Sequence, residues 1–420
     1  MKINDLLLGV DCACGKHHSC DVEKVYIEND AMKHLTLLCE SYDNILLVAD
    51  GNTYAAAGEK TEKYLDGKNI TRVLFPGETV LIPNEEAIDR VTAETSGIDL
   101  IIGIGSGVIQ DLCKYVSHTE NIPYFIVATA PSMDGYASTG AAMITDGMKV
   151  TYSAGVPKAI IADTAVLAGA PLEMIKAGYG DIVGKYSALN DWKLSHLVND
   201  EYFCQYIYDL TMDMVDKTLA LADGLLKRSE ESVKVLMEAL VIVGIAMSFA
   251  GSSRPASGSE HHLSHFFEIT GIINGENYLP HGIDVAYSTV VTAALREKIV
   301  NTPFPSVGYN EDRTAYENTM KRVYKSVADG CIALQDKIGN YKAERMPIYL
   351  EKECEIKNIL SEVPTAKQIE KMLSAVSISM SQFDEHYSKA KQNDAIKYAK
   401  DLKDRYTVLW LYYTLFGAEC

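Results

Sequence analysis

Between residues 41 and 165 short apolar runs recur, each closing on a turn and most followed by a helical pattern. NILLVADGNT ends at Asp50-Gly51-Asn52, TRVLFPGE at Pro76-Gly77, and DLIIGIGSG at a glycine turn that leads into VIQDLCKYVSH. IPYFIVATAPS and AIIADTAVL continue the series. Apolar runs this short, separated by amphipathic stretches, predict strands buried on both faces of a parallel sheet with crossover helices. Residues 1–165 are therefore expected to form an α/β domain.

After Asp163 the pattern changes. LEMIKAGYGDIVGKYSALNDWKLSHLV, CQYIYDLTMDMVDKTLALADGLL, SVKVLMEALVIVGIAMSFA and DAIKYAKDLKDRYTVLWLYYTLFG carry helical periodicity, and 166–420 reads as an all-helical second domain. A chain of 420 residues suits about two domains. The charge-rich stretch from about 302 to 358 is expected to be a surface helical elaboration. The longest apolar run, ALVIVGIAMSFA from Ala239 to Ala250, falls short of the roughly 20 residues that span a bilayer and predicts a core helix. MKINDLLLGV has too short an apolar run for a secretory leader, and an acid interrupts it. Nine scattered cysteines, an odd number, point to a reducing cytoplasm rather than a disulfide framework. A net charge of −18 argues against a nucleic-acid partner, since phosphate backbones need clustered cations. A few local cations still suffice for a small anionic substrate.

GIGSGVIQD, Gly103 to Asp111, lies between an apolar strand and a helix. Glycines there let backbone N–H groups approach a phosphate, aided by the helix dipole. The same turn also serves as a plain strand-to-helix connection. It departs from the usual dinucleotide fingerprint, which places an acid about 20 residues after the glycines. Here the candidate acid, Asp50, precedes them.

SGSEHHLSHFFE places His261 and His265 four residues apart, on one face of a helix. Such a pair can bind metal, but Glu260 precedes the first histidine and the zinc-protease order is absent. His262 points away and is expected to be a solvent or packing residue. His281 follows in YLPHGID.

Taken in order, TAPSMDGYASTGAAM, GYGDIVGKYSALNDW, GSSRPASGSEHHLSHFFE and LPHGIDVAYST resemble the motifs of bacterial-type sn-glycerol-1-phosphate dehydrogenases. These belong to the superfamily of iron-dependent alcohol dehydrogenases, glycerol dehydrogenase and dehydroquinate synthase. The resemblance runs from about Asp11 to RYTVLWLYY, leaving out 302–358. It implies a dehydroquinate synthase-like fold, with a Rossmann-like dinucleotide-binding domain followed by a helical metal- and substrate-binding domain. It implies a metal held by Asp181, His261 and His281, and catalytic roles for Asp134, Asp181 and His265. Zinc, nickel or iron all suit two imidazoles and a carboxylate. The cofactor, NAD(H) with NADP(H) as the alternative, would lie along Gly105, Gly107, Val108, Ile109, Gln110 and Asp111. Thr129, Ala130, Pro131, Ser132 and Ser138 would stand near the nicotinamide, and Asp50 would take the adenosine ribose. A homodimer acting on a small phosphorylated substrate, with neither membrane nor nucleic acid as partner, completes what the resemblance implies.

Three protein ligands leave a metal open to substrate, and a cation there polarises a ketone oxygen. The dehydroquinate-synthase reading is disfavoured, because PSMDGYASTGAAM carries no lysine before Lys149 and GSGVIQDLCK has the Asp-x-x-Lys of the dehydrogenase branch. Glycerol dehydrogenase, on an unphosphorylated polyol, is the other enzyme reading. Arg254 argues against it if it grips a phosphate, and is silent if it makes a structural salt bridge. A silent binding protein would have lost a metal-ligand residue, and all three are present. Finally, CACGKHHSC offers Cys12, Cys14, Cys20 and His17 as a four-ligand zinc set, although Cys-x-Cys is tighter than the usual ligand gap. The alternative is an entry hairpin, as in relatives.

Overall fold

The structure, a computed structural model, describes residues 3–79, 81–145 and 148–417. The chain divides into two compact units, each built from two stretches. One comprises Met1–Ile182 with Asp209–Ser253, the other Val183–Tyr208 with Arg254–Cys420. A single boundary near residue 165 therefore gives way to a discontinuous division. The helix Glu230–Ala250 belongs to the first unit, where its Gly244 lies against the backbone of Asp134 and Ala137.

The first unit opens with a hairpin of β1 (Val10–Asp11) and β2 (His17–His18). Its main sheet comprises β3 (Lys24–Glu28), β4 (Asn44–Asp50), β5 (Asn69–Phe75), β6 (Leu100–Gly105), β7 (Tyr124–Ala128) and β10 (Ala159–Asp163). Between β7 and β10 a hairpin forms from β8 (Gly140–Thr145) and β9 (Met148–Ser153). The six-stranded order is β3-β10-β7-β6-β4-β5, and every neighbouring pair is parallel. Strand β4 shows why an unbroken apolar run folds this way. Side chains alternate across a strand. Ile45, Leu47 and Ala49 enter a core with Met32, Leu35, Ile102 and Phe125, whereas Leu46 and Val48 enter another with Leu112, Cys113 and Val116. All five are fully buried, and the larger ones stabilise by roughly 1.5–3 kcal/mol each.

From β4 the chain moves to β5 on one side, then returns to β6 on the other and continues through β7. The order reverses between β4 and β6. In open parallel sheets ligands bind at the carboxyl ends of the strands flanking such a reversal. Here those ends are Asp50 and Gly105.

Described elements of the second unit are helical. The 302–358 region is helical as expected, in Arg313–Tyr324, Ala328–Ile338, Met346–Glu351 and Glu353–Leu360. It is more than a surface elaboration, because Tyr316, Met320, Tyr324 and Tyr349 are buried. The 21-residue helix Glu230–Ala250 is long and apolar enough to cross a membrane by composition, yet 72% of its most apolar window is packed inside the protein. It is a core helix, as its sequence predicts.

Candidate active site

In the first unit two of the expected cofactor residues, Asp50 and Gly105, end the strands that flank the reversal. Asp50 ends β4, and its Oδ1 accepts from the backbone N–H groups of Asn52 (2.8 Å) and Thr53 (3.0 Å), capping the short helix that follows. Gly105 ends β6, and its carbonyl accepts from Thr129 N–H at 3.1 Å, tying the loop after β7 to the glycine turn. A Cβ at Gly105 would stand 2.7 Å from Ile109, so the tight turn excludes side chains. At Gly107 a Cβ would meet only Met133, at 3.7 Å, leaving room over the helix N-terminus. The helix Gly107–Glu120 thereby offers the N–H groups of Gly107, Val108 and Ile109, which lack an intrahelical acceptor. The acid precedes the glycines in sequence, yet β4 and β6 are neighbours, so both features sit on adjacent strand ends.

Not every expected cofactor residue offers a side chain. Ile109 packs on Gly105. Gln110 is fully buried, with Nε2 donating to the Tyr136 carbonyl at 3.1 Å and to the Tyr124 hydroxyl at 3.2 Å, and its N–H closes on Ser106 O. A cofactor role for the Gln110 side chain is thus replaced by a packing role. Asp111 lies 3.5 Å from Lys114, and burial pushes its carboxyl up while that lysine pulls it down.

Lys114, named in the sequence only as part of Asp-x-x-Lys, organises the loop that follows. Its buried ammonium donates to the carbonyls of Gly135 (3.0 Å) and Gly140 (2.8 Å) and to Ser138 Oγ (3.3 Å). Burial pushes its pKa down, and Asp111 opposes that shift. Ser138 is thus held from below, while the Tyr136 hydroxyl donates to Ala130 O at 2.7 Å and braces the Thr129–Ser132 segment. The Asp134 N–H donates to Asp181 Oδ2 at 3.0 Å, bringing together two expected site residues, Asp181 fully buried on the helix Leu172–Val183 and Asp134 on a neighbouring loop.

In the second unit the histidines converge. His261 and His265 lie on the helix Ser259–Asn274, which ends at Gly275 with φ +66°, the left-handed conformation glycine favours. A short connection then delivers His281 as the first residue of the helix His281–Asn301. Ring centroids are 5.1 Å apart for His261–His281, 5.6 Å for His265–His281 and 5.9 Å for His261–His265.

Glu260 decides how His261 presents itself. Glu260 Oε1 accepts the Gly258 N–H at 2.8 Å, which marks it as an acceptor oxygen. The His261 Nδ1 at 2.7 Å must therefore donate, leaving the Nε2 lone pair for a ligand. Burial pushes the Glu260 carboxyl up, and the Gly258 N–H and Lys185 partly offset that. Glu268, one turn beyond His265, groups with His265 and His281, their ligand atoms within 4.8 Å of one another. Sequence reading passed over Glu268, although it stands at i+7 from His261 and i+3 from His265, spacings that share a helix face.

The helix is held from a distance. Asp191, fully buried, accepts the Ser259 N–H at 2.6 Å, the Val408 N–H at 2.8 Å and the Arg296 guanidinium at 2.8 Å. A Cβ at Gly258 would strike Ala188 Cα and Asp191 Oδ2 at 2.7 Å, so SGSEHH needs its glycine. His262 is fully buried and neither ring nitrogen has a hydrogen-bond partner. Burial, then Lys403, Arg405 and Arg254, hold its pKa well below the usual imidazole range. It is a packing residue. Arg254 is also settled: its guanidinium makes a two-pronged pair with Glu201, Nε to Oε1 at 2.6 Å and Nη2 to Oε2, and donates to Tyr406 O at 3.0 Å. The structural salt bridge replaces the phosphate grip.

A dinucleotide-type reversal point in one unit and converging imidazoles in the other are the combination found in a metal-dependent dehydrogenase. Known proteins narrow that class. The model of the family "Iron-containing alcohol dehydrogenase" matches residues 26–171. The structure of the iron-containing alcohol dehydrogenase from Thermococcus thioreducens superposes with a TM-score of 0.62 at 14% identity, covering 94% of this chain and 98% of that one. The chain is 29% identical over 411 residues to the glycerol-1-phosphate dehydrogenase [NAD(P)+] of Halalkalibacterium halodurans, covering 95% of this chain and 94% of that one. It is 36% identical over 292 residues to the enzyme of that name from Geobacillus stearothermophilus, covering 68% and 72%. The chain belongs to the glycerol-1-phosphate dehydrogenase [NAD(P)+] family.

Proposed function

We propose that the chain reduces dihydroxyacetone phosphate to sn-glycerol 1-phosphate with NAD(P)H, reversibly, using one divalent ion held by Asp181, His261 and His281. The observation that carries the metal is the orientation of His261, whose Nδ1–H is committed to Glu260. The substrate follows the name borne by the relatives. Two imidazoles and a carboxylate suit zinc first, with nickel and iron also accommodated. Such an ion supplies Lewis acidity toward a ketone or hydroxyl oxygen. The nicotinamide supplies the hydride. His265, beside Glu268, is placed to give a proton to the substrate oxygen, and Asp134 orients the neighbouring carbons. The N-terminus of Gly107–Glu120 holds the pyrophosphate, and the braced Thr129–Ser132 segment with Ser138 borders the nicotinamide. A homodimer in the cytoplasm is part of this reading, and the described cysteines form no disulfide among themselves.

Asp50 sets the cofactor preference, because its carboxylate accepts ribose hydroxyls and repels a 2′-phosphate. Losing one charged hydrogen-bond partner costs roughly 1.5–3 kcal/mol, about tenfold or more. Asn also caps helices well, so Asp50→Asn keeps the local fold while narrowing the NADH-over-NADPH ratio by about tenfold. Steady-state kinetics with both cofactors checks this, and an unchanged ratio rules Asp50 out of the ribose site.

The activity itself is tested by NADH oxidation with dihydroxyacetone phosphate and dihydroxyacetone. A phosphate remote from the reacting carbon helps position it, so its removal lowers kcat as well as affinity. Dihydroxyacetone is expected to be poorer by about tenfold or more in kcat/KM. Equal efficiency would favour a glycerol dehydrogenase, the reading to which the Arg254–Glu201 pair lends weight by removing one candidate phosphate anchor. Release of inorganic phosphate from a heptulosonate phosphate without net NADH consumption would instead indicate a cyclase.

A further inference from the structure

We propose that Cys12, Cys14 and His18 form a second metal site, of the zinc class, at the N-terminal hairpin. The hairpin pairs Val10 with His18 and Asp11 with His17. Between the strands, Cys12 N–H donates to Lys16 O at 3.1 Å and Gly15 N–H donates to Cys12 O at 2.9 Å. Gly15 sits at φ +84°, where a side chain is strained, so the glycine lets the chain turn back within one residue of Cys14. The result gathers the two thiols and the His18 ring, with ligand atoms of all three within 4.8 Å of one another.

His18 is prepared for ligation. Its ring is 1% exposed and stacks on Phe249, centroids 5.6 Å apart and planes 19° from parallel. Nδ1 lies 2.9 Å from Phe249 O. A carbonyl only accepts, so the proton is on Nδ1 and the Nε2 lone pair faces Cys14 Sγ at 3.4 Å. An outer hydrogen bond that fixes tautomer and ring angle is the usual support of a metal-bound histidine. Zinc–sulfur and zinc–nitrogen bonds of about 2.3 and 2.0 Å at a tetrahedral angle put sulfur and nitrogen about 3.5 Å apart. The Cys14–His18 separation already matches. Without metal the same pair is an S–H···N contact.

The neighbouring residues stay out. Adjacent strand residues face opposite ways, and His17 is exposed with Nδ1 on Asp11 at 2.8 Å. Cys20 is buried, and it does not join the group of ligand atoms formed by the two thiols and His18. The set of Cys12, Cys14, Cys20 and His17 read from the sequence therefore gives way to one built on His18. The role is structural. Phe249 stands next to the end of Glu230–Ala250, where helix carbonyls lack intrahelical donors, so the ion clamps the hairpin onto that helix terminus. A further thiolate or a water closes the tetrahedron.

Full-length protein loaded with cobalt(II) tests the site. Thiolate ligation gives an intense charge-transfer absorption in the near ultraviolet, and the Asp181, His261 and His281 set contains no sulfur. The band therefore separates a thiolate site from the proposed catalytic ion, and the hairpin variants locate it, whatever becomes of the proposed activity. The wild type and His261→Ala are expected to show the band. Cys14→Ser and His18→Gln should each lose it together with one equivalent of metal by elemental analysis, while Cys20→Ser and His17→Ala keep both. No band in the cobalt-loaded wild type would overturn the site. So would a band that survives in both Cys14→Ser and His18→Gln, or one lost equally in Cys20→Ser.

Discussion

Alanine at Asp181, His261 or His281 is expected to remove the catalytic metal and abolish turnover, whereas Glu268→Gln and His262→Ala keep the metal. If the three proposed residues are the protein's ligands, deleting one leaves a two-ligand site whose affinity falls by orders of magnitude. His261 contributes to the set through a tautomer fixed by Glu260 at 2.7 Å. His262 separates metal loss from general damage. Truncating a fully buried ring leaves a cavity costing about 2–4 kcal/mol, so His262→Ala melts earlier yet stays loaded. Glu268→Gln distinguishes the two ligand sets that His281 can join. Elemental analysis of the purified variants decides. Full metal in Asp181→Ala together with loss in Glu268→Gln would move the ion to His265, Glu268 and His281.

The strand ends on which the proposed cofactor site is built were legible because strands announce themselves by local pattern. An apolar run, an acid and a glycine turn are each contained within a few residues, and the parallel order then brings Asp50 beside Gly105. The histidines were legible for the same reason, since i, i+4 spacing is a property of one helix. What stayed hidden depends on partners distant in sequence. Arg254 stood between a phosphate grip and a structural salt bridge until the fold set Glu201, 53 residues earlier, against it. Asp191 reaches Ser259 across 68 residues, and Lys114 braces carbonyls more than 20 residues away. Glu260 was misjudged differently. It was weighed as a zinc-protease base and found in the wrong place, when its job is to orient the adjacent ring. In the N-terminal hairpin the choice between His17 and His18 rested on strand phase, which no spacing rule within CACGKHHSC could supply. The discontinuous division escaped notice because a buried apolar helix such as Glu230–Ala250 carries no mark of which core it joins.

Gly178→Ala is expected to destabilise the protein by about 3 kcal/mol or more and to weaken cofactor binding. Gly178 lies within the helix Leu172–Val183, where alanine is intrinsically favoured over glycine by about 1 kcal/mol. Propensity alone therefore predicts a more stable variant. Packing predicts the reverse. A Cβ at Gly178 would stand 1.9 Å from Pro131 O and 2.9 Å from Pro131 C, and both are backbone atoms that no rotamer change can move. To restore ordinary contact the helix or the loop must shift by roughly 1.5 Å. The loop is Thr129–Ser132, tied at one end to Gly105 and braced by Tyr136, so it cannot yield without disturbing the glycine turn. The helix also carries Asp181 one turn further on, bonded to Asp134 N–H, so its displacement reaches the proposed metal ligand. Gly169→Ala is the control, since its Cβ would meet nothing within 4 Å and leaves stability near that of the wild type. Thermal denaturation and NADH titration of both variants measure the effect. A Gly178→Ala protein as stable as Gly169→Ala, with unaltered NADH affinity, would show that the close approach of helix and loop does not govern the cofactor site.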